Sequence, residues 1–72
     1  MKTPYKQRIE NAEQAINILA NIDDRYYDTI RDAYLKATRV KSSRLALALK
    51  LEEVRDMASR LVFPLGNQTP RN

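Results

Sequence analysis

The sequence predicts an all-α fold: a small antiparallel three-helix bundle, or a helical hairpin, with coiled-coil-like seams and a flexible C-terminal tail. Three observations carry this expectation. Apolar residues recur at spacings of four and three through three successive segments, a repeat that lines one face of a helix. A helix-starting residue stands ahead of each segment, at Thr3, Asp23 and Ser42 or Ser43. Pro4 stands at the start of the first segment, and the other two prolines and the single glycine follow the third, at Pro64, Gly66 and Pro70.

The first helix is expected over 3–20. Thr3 offers a capping hydroxyl, and Pro4 suits the first helical position, where a missing N–H costs nothing. Tyr5, Ile9, Ala12, Ile16 and Leu19 form its seam. Asn21 can adopt the left-handed conformation that closes a helix. The second helix is expected over 23–40. Asp23 caps it, and Asp24 places negative charge where the helix dipole favours it. Its seam is Tyr26, Ile30, Ala33, Ala37 and Val40.

The third helix is expected over 43–62. Leu45, Leu47, Leu49 and Leu51 alternate as in a strand. Leu, Ala, Lys and Glu nevertheless favour helix, and no β-branched residue appears before Val54. Leu47, Leu51, Val54, Ala58 and Leu61 form its seam. Pro64 stops it, because proline lacks an N–H and disfavours helix in the residue before it. The break at Lys41-Ser42-Ser43 contains neither Gly nor Pro, so a single rod through helices two and three is the alternative. The seams share a register, with Tyr5, Tyr26 and Leu47 equally spaced, which implies left-handed packing of nearly parallel or antiparallel helices. The chain thus divides into a helical domain over 1–62 and a tail over 63–72, whose Phe63 and Leu65 either fold back or serve as a short docking motif.

Seventy-two residues make one domain. A single core of this size rarely yields more than ~3–5 kcal/mol. With no cysteine, no disulfide assists it. The absence of both His and Cys excludes cysteine nucleophiles, Ser-His-Asp triads and the usual zinc sites. An enzyme is therefore not expected, nor a cofactor, a metal or a small-molecule substrate. Asp24, Asp28 and Asp32 form a helical row, but no glycine-bearing loop wraps a cation there, and a solvated face explains them. The N-terminus is polar and no apolar stretch is long enough to span a membrane. The expected location is the cytoplasm.

Two features point to binding. First, the third helix has two apolar sides. At ~100° per residue, Leu45 and Leu49 project nearly opposite its seam. In the first helix Ile18 does the same, with Ile22 one turn on. These four residues are candidate contacts for a protein target or a second copy of the chain. The alternative is that the third helix sits centrally and buries both sides. Tyr27 and Tyr34 join the candidates, since exposed tyrosines beside Arg25 and Arg31 resemble an interaction hot spot; packing under the third helix is the competing explanation. Second, Lys36, Arg39, Lys41 and Arg44 gather at the second turn, in a run with no acidic residue between Asp32 and Glu52. They form a candidate anion or nucleic-acid site, joined by the free amides of the third helix. Few side chains at the start of that helix can read base edges, so any such binding would be through the backbone.

The sequence therefore suggests a non-enzymatic helical interaction protein, an adaptor, inhibitor or regulator, that binds a protein surface and self-associates. The alternative is a nucleic-acid-associated regulator using the basic turn at 36–44. Small cysteine-free chains of this kind also suggest an accessory protein of a phage or plasmid.

Overall fold

A computed structural model describes residues 3–63, and these form three helices packed against one another with no strand among them. α1 spans Tyr5–Ile22, α2 spans Tyr27–Arg39 and α3 spans Arg44–Val62; a 3-10 turn at Asp24–Tyr26 leads into α2. Arg8, near the start of α1, bonds Glu52 of α3. Further on, Ala15, Ile18 and Leu19 lie against Arg55, Asp56 and Ser59. The two helices therefore run in the same direction. Glu13 meets Tyr34, while Ala20 shares a recess with Tyr27, so α2 runs antiparallel to α1. The result is an up-down-up bundle. α3 packs on both other helices, most extensively on α1, and α1 touches α2 least.

The caps explain the boundaries, and three differ from expectation, the third being Asp23, which caps the 3-10 turn while α2 itself starts at Tyr27 behind Tyr26 with no side-chain cap bond. Thr3 does not cap α1. Pro4 is the cap residue, with ψ at 149° and no side-chain hydrogen bond. Proline fixes φ but leaves ψ free to be extended, so the helix begins one residue later, and the Arg8 amide donates to the Pro4 carbonyl at 3.0 Å. Asn21 does not close α1 in a left-handed conformation. It stays helical and its Nδ2 donates to the Asn17 carbonyl at 2.7 Å. The helix runs on through Ile22 and stops because Asp23 turns extended. Asp23 then starts the next element: its carboxylate accepts the Arg25 amide at 3.0 Å and the Arg25 guanidinium at 2.7 Å.

The break before α3 is real, and α2 and α3 are separate helices. Ser43 supplies it. Its backbone is extended and its Oγ accepts the Ala46 amide at 3.1 Å. A capped helix start needs no glycine when the residue ahead of it can turn away from helical angles. The proposed tail beyond Phe63 lies outside the described residues.

The core lies along the seams but is rotated toward the small residues. Among the described residues it consists of Ile9, Ala12, Ile16 and Ala20 from α1, Ile30 and Ala37 from α2, and Ala48, Leu51, Val54 and Ala58 from α3. Half of these ten are alanine. Ala48, expected between two faces, is fully buried, while Leu47 is half-buried. Alanine lets helix axes approach closely, and α3 turns toward that contact. Tyr5 and Val40 leave the seam. Tyr5 lies at the open end of the bundle, with the Arg8 guanidinium 5.8 Å from its ring centre. Val40 follows the last residue of α2 and is exposed because the helix that would have aimed it inward has ended.

Among the described residues only Ile30 and Leu51 are large and fully buried. Leu51→Ala is expected to cost ~2–5 kcal/mol, most of the stability a chain of this size holds. Ala48→Leu or Ala58→Leu is expected to cost ~1–3 kcal/mol by forcing the helices apart. Urea unfolding followed by circular dichroism measures both. A neutral outcome at Ala48 and Ala58 would mean that the helices are not held at close contact there.

Candidate interaction site

α2 covers one side of the α1–α3 pair and leaves the other side open. The residues on the open side follow from helical spacing. On α3, Glu52 contacts α1 through Arg8, and Asp56 and Ser59 border the groove with α1. Lys50, Glu53 and Val54 face the recess shared with α2. Steps of four and three from Glu52 run back to Leu49 and Leu45 and forward through Asp56 and Ser59 to Phe63. On α1 the matching strip is Asn11, Ala15, Ile18 and Ile22. The two strips flank one groove.

Large apolar side chains stand out along it. Ile18 is 62% exposed, Ile22 52%, Leu45 41%, Leu49 46% and Phe63 47%. α3 does occupy the central position that would allow both its sides to be buried, yet Leu45 and Leu49 stay nearly half-exposed. The apolar residues are arranged diagonally. The bond between Arg8 and Glu52 fixes the relative level of the helices. Leu45 and Leu49 lie toward the end where α1 and α3 begin, and Ile18, Ile22 and Phe63 toward the end where they finish. Between them the groove is apolar at Ala15 and Leu19, and the exposed Arg55–Asp56 ion pair at 3.1 Å leaves it without net charge there.

Tyr27 and Tyr34 belong elsewhere. Both border the α1–α2 recess with Ile16, Ala20 and Ile30. Tyr27 is exposed and Tyr34 half-buried. The Tyr34 hydroxyl donates to Glu13 Oε2 at 2.8 Å. That bond to a carboxylate, with burial, raises the phenol above its ordinary range. Tyr34 thus joins α2 to α1.

The basic turn is only partly as its sequence suggests. Lys36 is paired with Asp32 one turn back at 3.2 Å. Arg39, Lys41 and Arg44 have no carboxylate within 4 Å among the described residues. Lys41, Ser42, Ser43, Arg44 and Leu47 line a shallow recess, in which the Ser43 hydroxyl is already taken by its own helix cap. Among the described residues no group of three His, Cys, Asp or Glu side chains could hold a metal ion, and no helix is long and apolar enough to cross a membrane.

Sequence reasoning missed the fork that fixes the level of α1 on α3. Arg8 Nε and Nη2 donate to the two oxygens of Glu52, each at 2.8 Å. Two parallel charge-assisted bonds specify orientation as well as proximity. Nothing in one sequence pairs residues so far apart. It also missed Phe63 as a neighbour of the exposed aliphatic residues, although its spacing from Ser59 was a usable signal. No family model, curated protein or solved structure matches the chain.

The Arg8 fork holds the Glu52 carboxyl below the usual carboxylate range. A depressed carboxyl contributes stability above its unfolded value, about 4.3, and loses it as pH falls through the folded value. The melting temperature is therefore expected to drop as pH falls below about 4.3. Part of that drop should be missing from Glu52→Gln, which starts less stable at neutral pH. Identical pH profiles for the two proteins would show that the fork does not contribute.

Proposed function

We propose that this chain is a non-catalytic interaction protein, an adaptor, inhibitor or regulator that works by covering a protein surface with the open side of its α1–α3 pair. One observation carries the reading. Among the described residues the core is half alanine, while nine large apolar side chains are exposed. Burying an aliphatic side chain is worth ~1.5–3 kcal/mol, and five of the nine share one side of the bundle. Such an arrangement leaves binding energy unused in the isolated chain and places it where a helix or a flat apolar surface can reach it.

A second reading has its own support. Arg39, Lys41 and Arg44 have no carboxylate partner among the described residues and stand at one turn, beside the amide-bearing start of α3. This suits an anionic surface such as a nucleic-acid backbone. It uses a different part of the molecule and is tested separately.

Replacing Leu45 and Leu49 together by Ser is expected to leave helical signal and cooperative melting nearly intact, with a stability change within about 1 kcal/mol, since both are substantially exposed. Protein captured from the native host by the immobilised chain should be lost with the same variant. Unfolding of the variant would instead place these leucines in the core.

For the second reading, binding of a DNA or RNA duplex should fall steeply with salt and hardly depend on sequence. Neutralising Lys36, Arg39, Lys41 and Arg44 should lower the slope of log affinity against log salt by up to about 3–4. An unchanged slope would reject the basic turn as the site.

A further inference from the structure

Besides its open apolar side, the bundle as a whole has a charge pattern from end to end. The end of the bundle where α1 and α3 begin comprises residues 3–11 and 35–52, which carry seven lysines and arginines against two carboxylates. The opposite end, residues 12–34 and 53–63, carries seven carboxylates against four arginines. The bundle is thus basic at one end and acidic at the other. The groups without an ion-pair partner follow this division only in part, since among the described residues Arg31 and Arg60 at the acidic end and Glu10 at the basic end also have none within 4 Å. Asp24 and Asp28 have no basic partner within 4 Å among the described residues, and Arg39, Lys41 and Arg44 have no acidic one. The charges also sit beside the apolar groups. Asp23 and Asp24 follow Ile22 directly, and Lys41 and Arg44 precede Leu45.

We propose that the open side seats a second copy of the same chain, turned antiparallel about a two-fold axis across the middle of the α1–α3 groove. The proposal rests on reading this side as an interaction surface and names its occupant. In that arrangement Ile18, Ile22 and Phe63 of one copy come level with Leu45 and Leu49 of the other. The two-fold repeats the contact at the far end, as an isologous interface requires. Each apolar cluster alone is small. Together they expose roughly 400 Å² of apolar surface per copy. A stable dimer buries about 800 Å² per partner, about two-thirds of it apolar, so the groove's alanine and side-chain stems complete the area.

Charge selects the orientation. An antiparallel pair sets the basic end of each copy against the acidic end of the other, twice. A parallel pair through the same surface sets like ends together, and like-charge juxtaposition disfavours it. The acidic end therefore supplies what Arg39, Lys41 and Arg44 lack among the described residues of one chain.

The test uses full-length chain, sedimentation and two single variants at exposed positions. Wild type should sediment at twice its 8.4 kDa. Ile22→Lys alone and Leu49→Glu alone should each be folded, by circular dichroism, and monomeric. Mixed in equal amounts, they should recover a dimer. In the antiparallel pair the new lysine meets the new glutamate at one end, while Leu49 meets Ile22 unchanged at the other. A wild type that stays monomeric up to millimolar concentration overturns the proposal, while the capture experiment on the serine variant still decides whether the side is an interaction surface. Variants that remain dimeric alone place the interface elsewhere and overturn it too. Folded monomers that do not pair on mixing overturn the orientation. Should either variant fail to fold, a spin label at Lys41→Cys in an otherwise cysteine-free chain decides independently. Two labels about 30 Å or more apart, at opposite ends of the pair, support the antiparallel dimer, and two labels close together overturn it.

Discussion

The alanine-lined packing of α3 on its neighbours governs most of what this molecule is. Ala12, Ala48 and Ala58 lose all contact with solvent. A helix pair in contact through alanine has little room between its axes for larger groups. Leucines and isoleucines that do not fit must lie beside the contact rather than within it. The exposed aliphatic residues are therefore a consequence of the alanine seam, as much as Ile30 and Leu51 are its complement. A wider separation would admit Leu45 or Ile18, but at the cost of opening the contact that orders α1 on α3.

A thin core needs other means of fixing register, and two polar links supply them. The Arg8–Glu52 fork sets the level of α1 along α3, and the Tyr34–Glu13 bond sets α2 along α1. Both lie at the edge of the core, where ionised groups keep part of their hydration. Neither replaces apolar burial as a source of stability, because partly exposed ion pairs contribute little. Their contribution is specificity. Alanine surfaces offer few distinct ridges, so a helix can slide along them by a turn at small cost unless directional bonds prevent it. α2 is the shortest of the three helices and lies mainly on α3, so its single bond to α1 carries a larger share of its placement.

Much of this was legible in the sequence because periodicity and capping are local. The seams located Ile9, Ile16, Ile30, Leu51 and Val54, Ser43 acts as the start its chemistry suggests, and Asp23 caps the 3-10 turn that leads into α2 instead of α2 itself. Leu45, Leu49, Ile18 and Ile22 were recognisable as residues on the wrong side of their helices. What failed was local choice between near-equivalent neighbours. Pro4 took the cap position from Thr3, because its ψ was not fixed by its ring. Ala48 took the buried position from Leu47, because helix rotation depends on the partner's shape and not on the residue's own hydrophobicity. The Arg8–Glu52 fork, and the sharing of one side by Ile18, Ile22, Leu45 and Phe63, depend on which helices run parallel. A sequence pattern does not state that.

The charge polarity of the bundle has a partial local cause, and where that cause ends is informative. α2 follows the helix dipole, with Asp28 in its first turn and Lys36 and Arg39 in its last. Since α2 runs opposite to its neighbours, its acidic start lies at the end where α1 and α3 finish. Dipole compensation thus accounts for the charges of α2. It does not account for α1 and α3, whose first turns contain no acidic residue and instead hold Lys6, Arg8 and Arg44. Cations at a helix start oppose the dipole and destabilise the isolated helix. At this end the positive ends of two dipoles and a surplus of lysine and arginine coincide, and among the described residues only Arg8 of those three has a carboxylate partner. Capping alone would have favoured Asp or Glu in their place. An anionic surface brought to that end offsets the repulsion, and the acidic end of a second copy is one that the sequence itself provides.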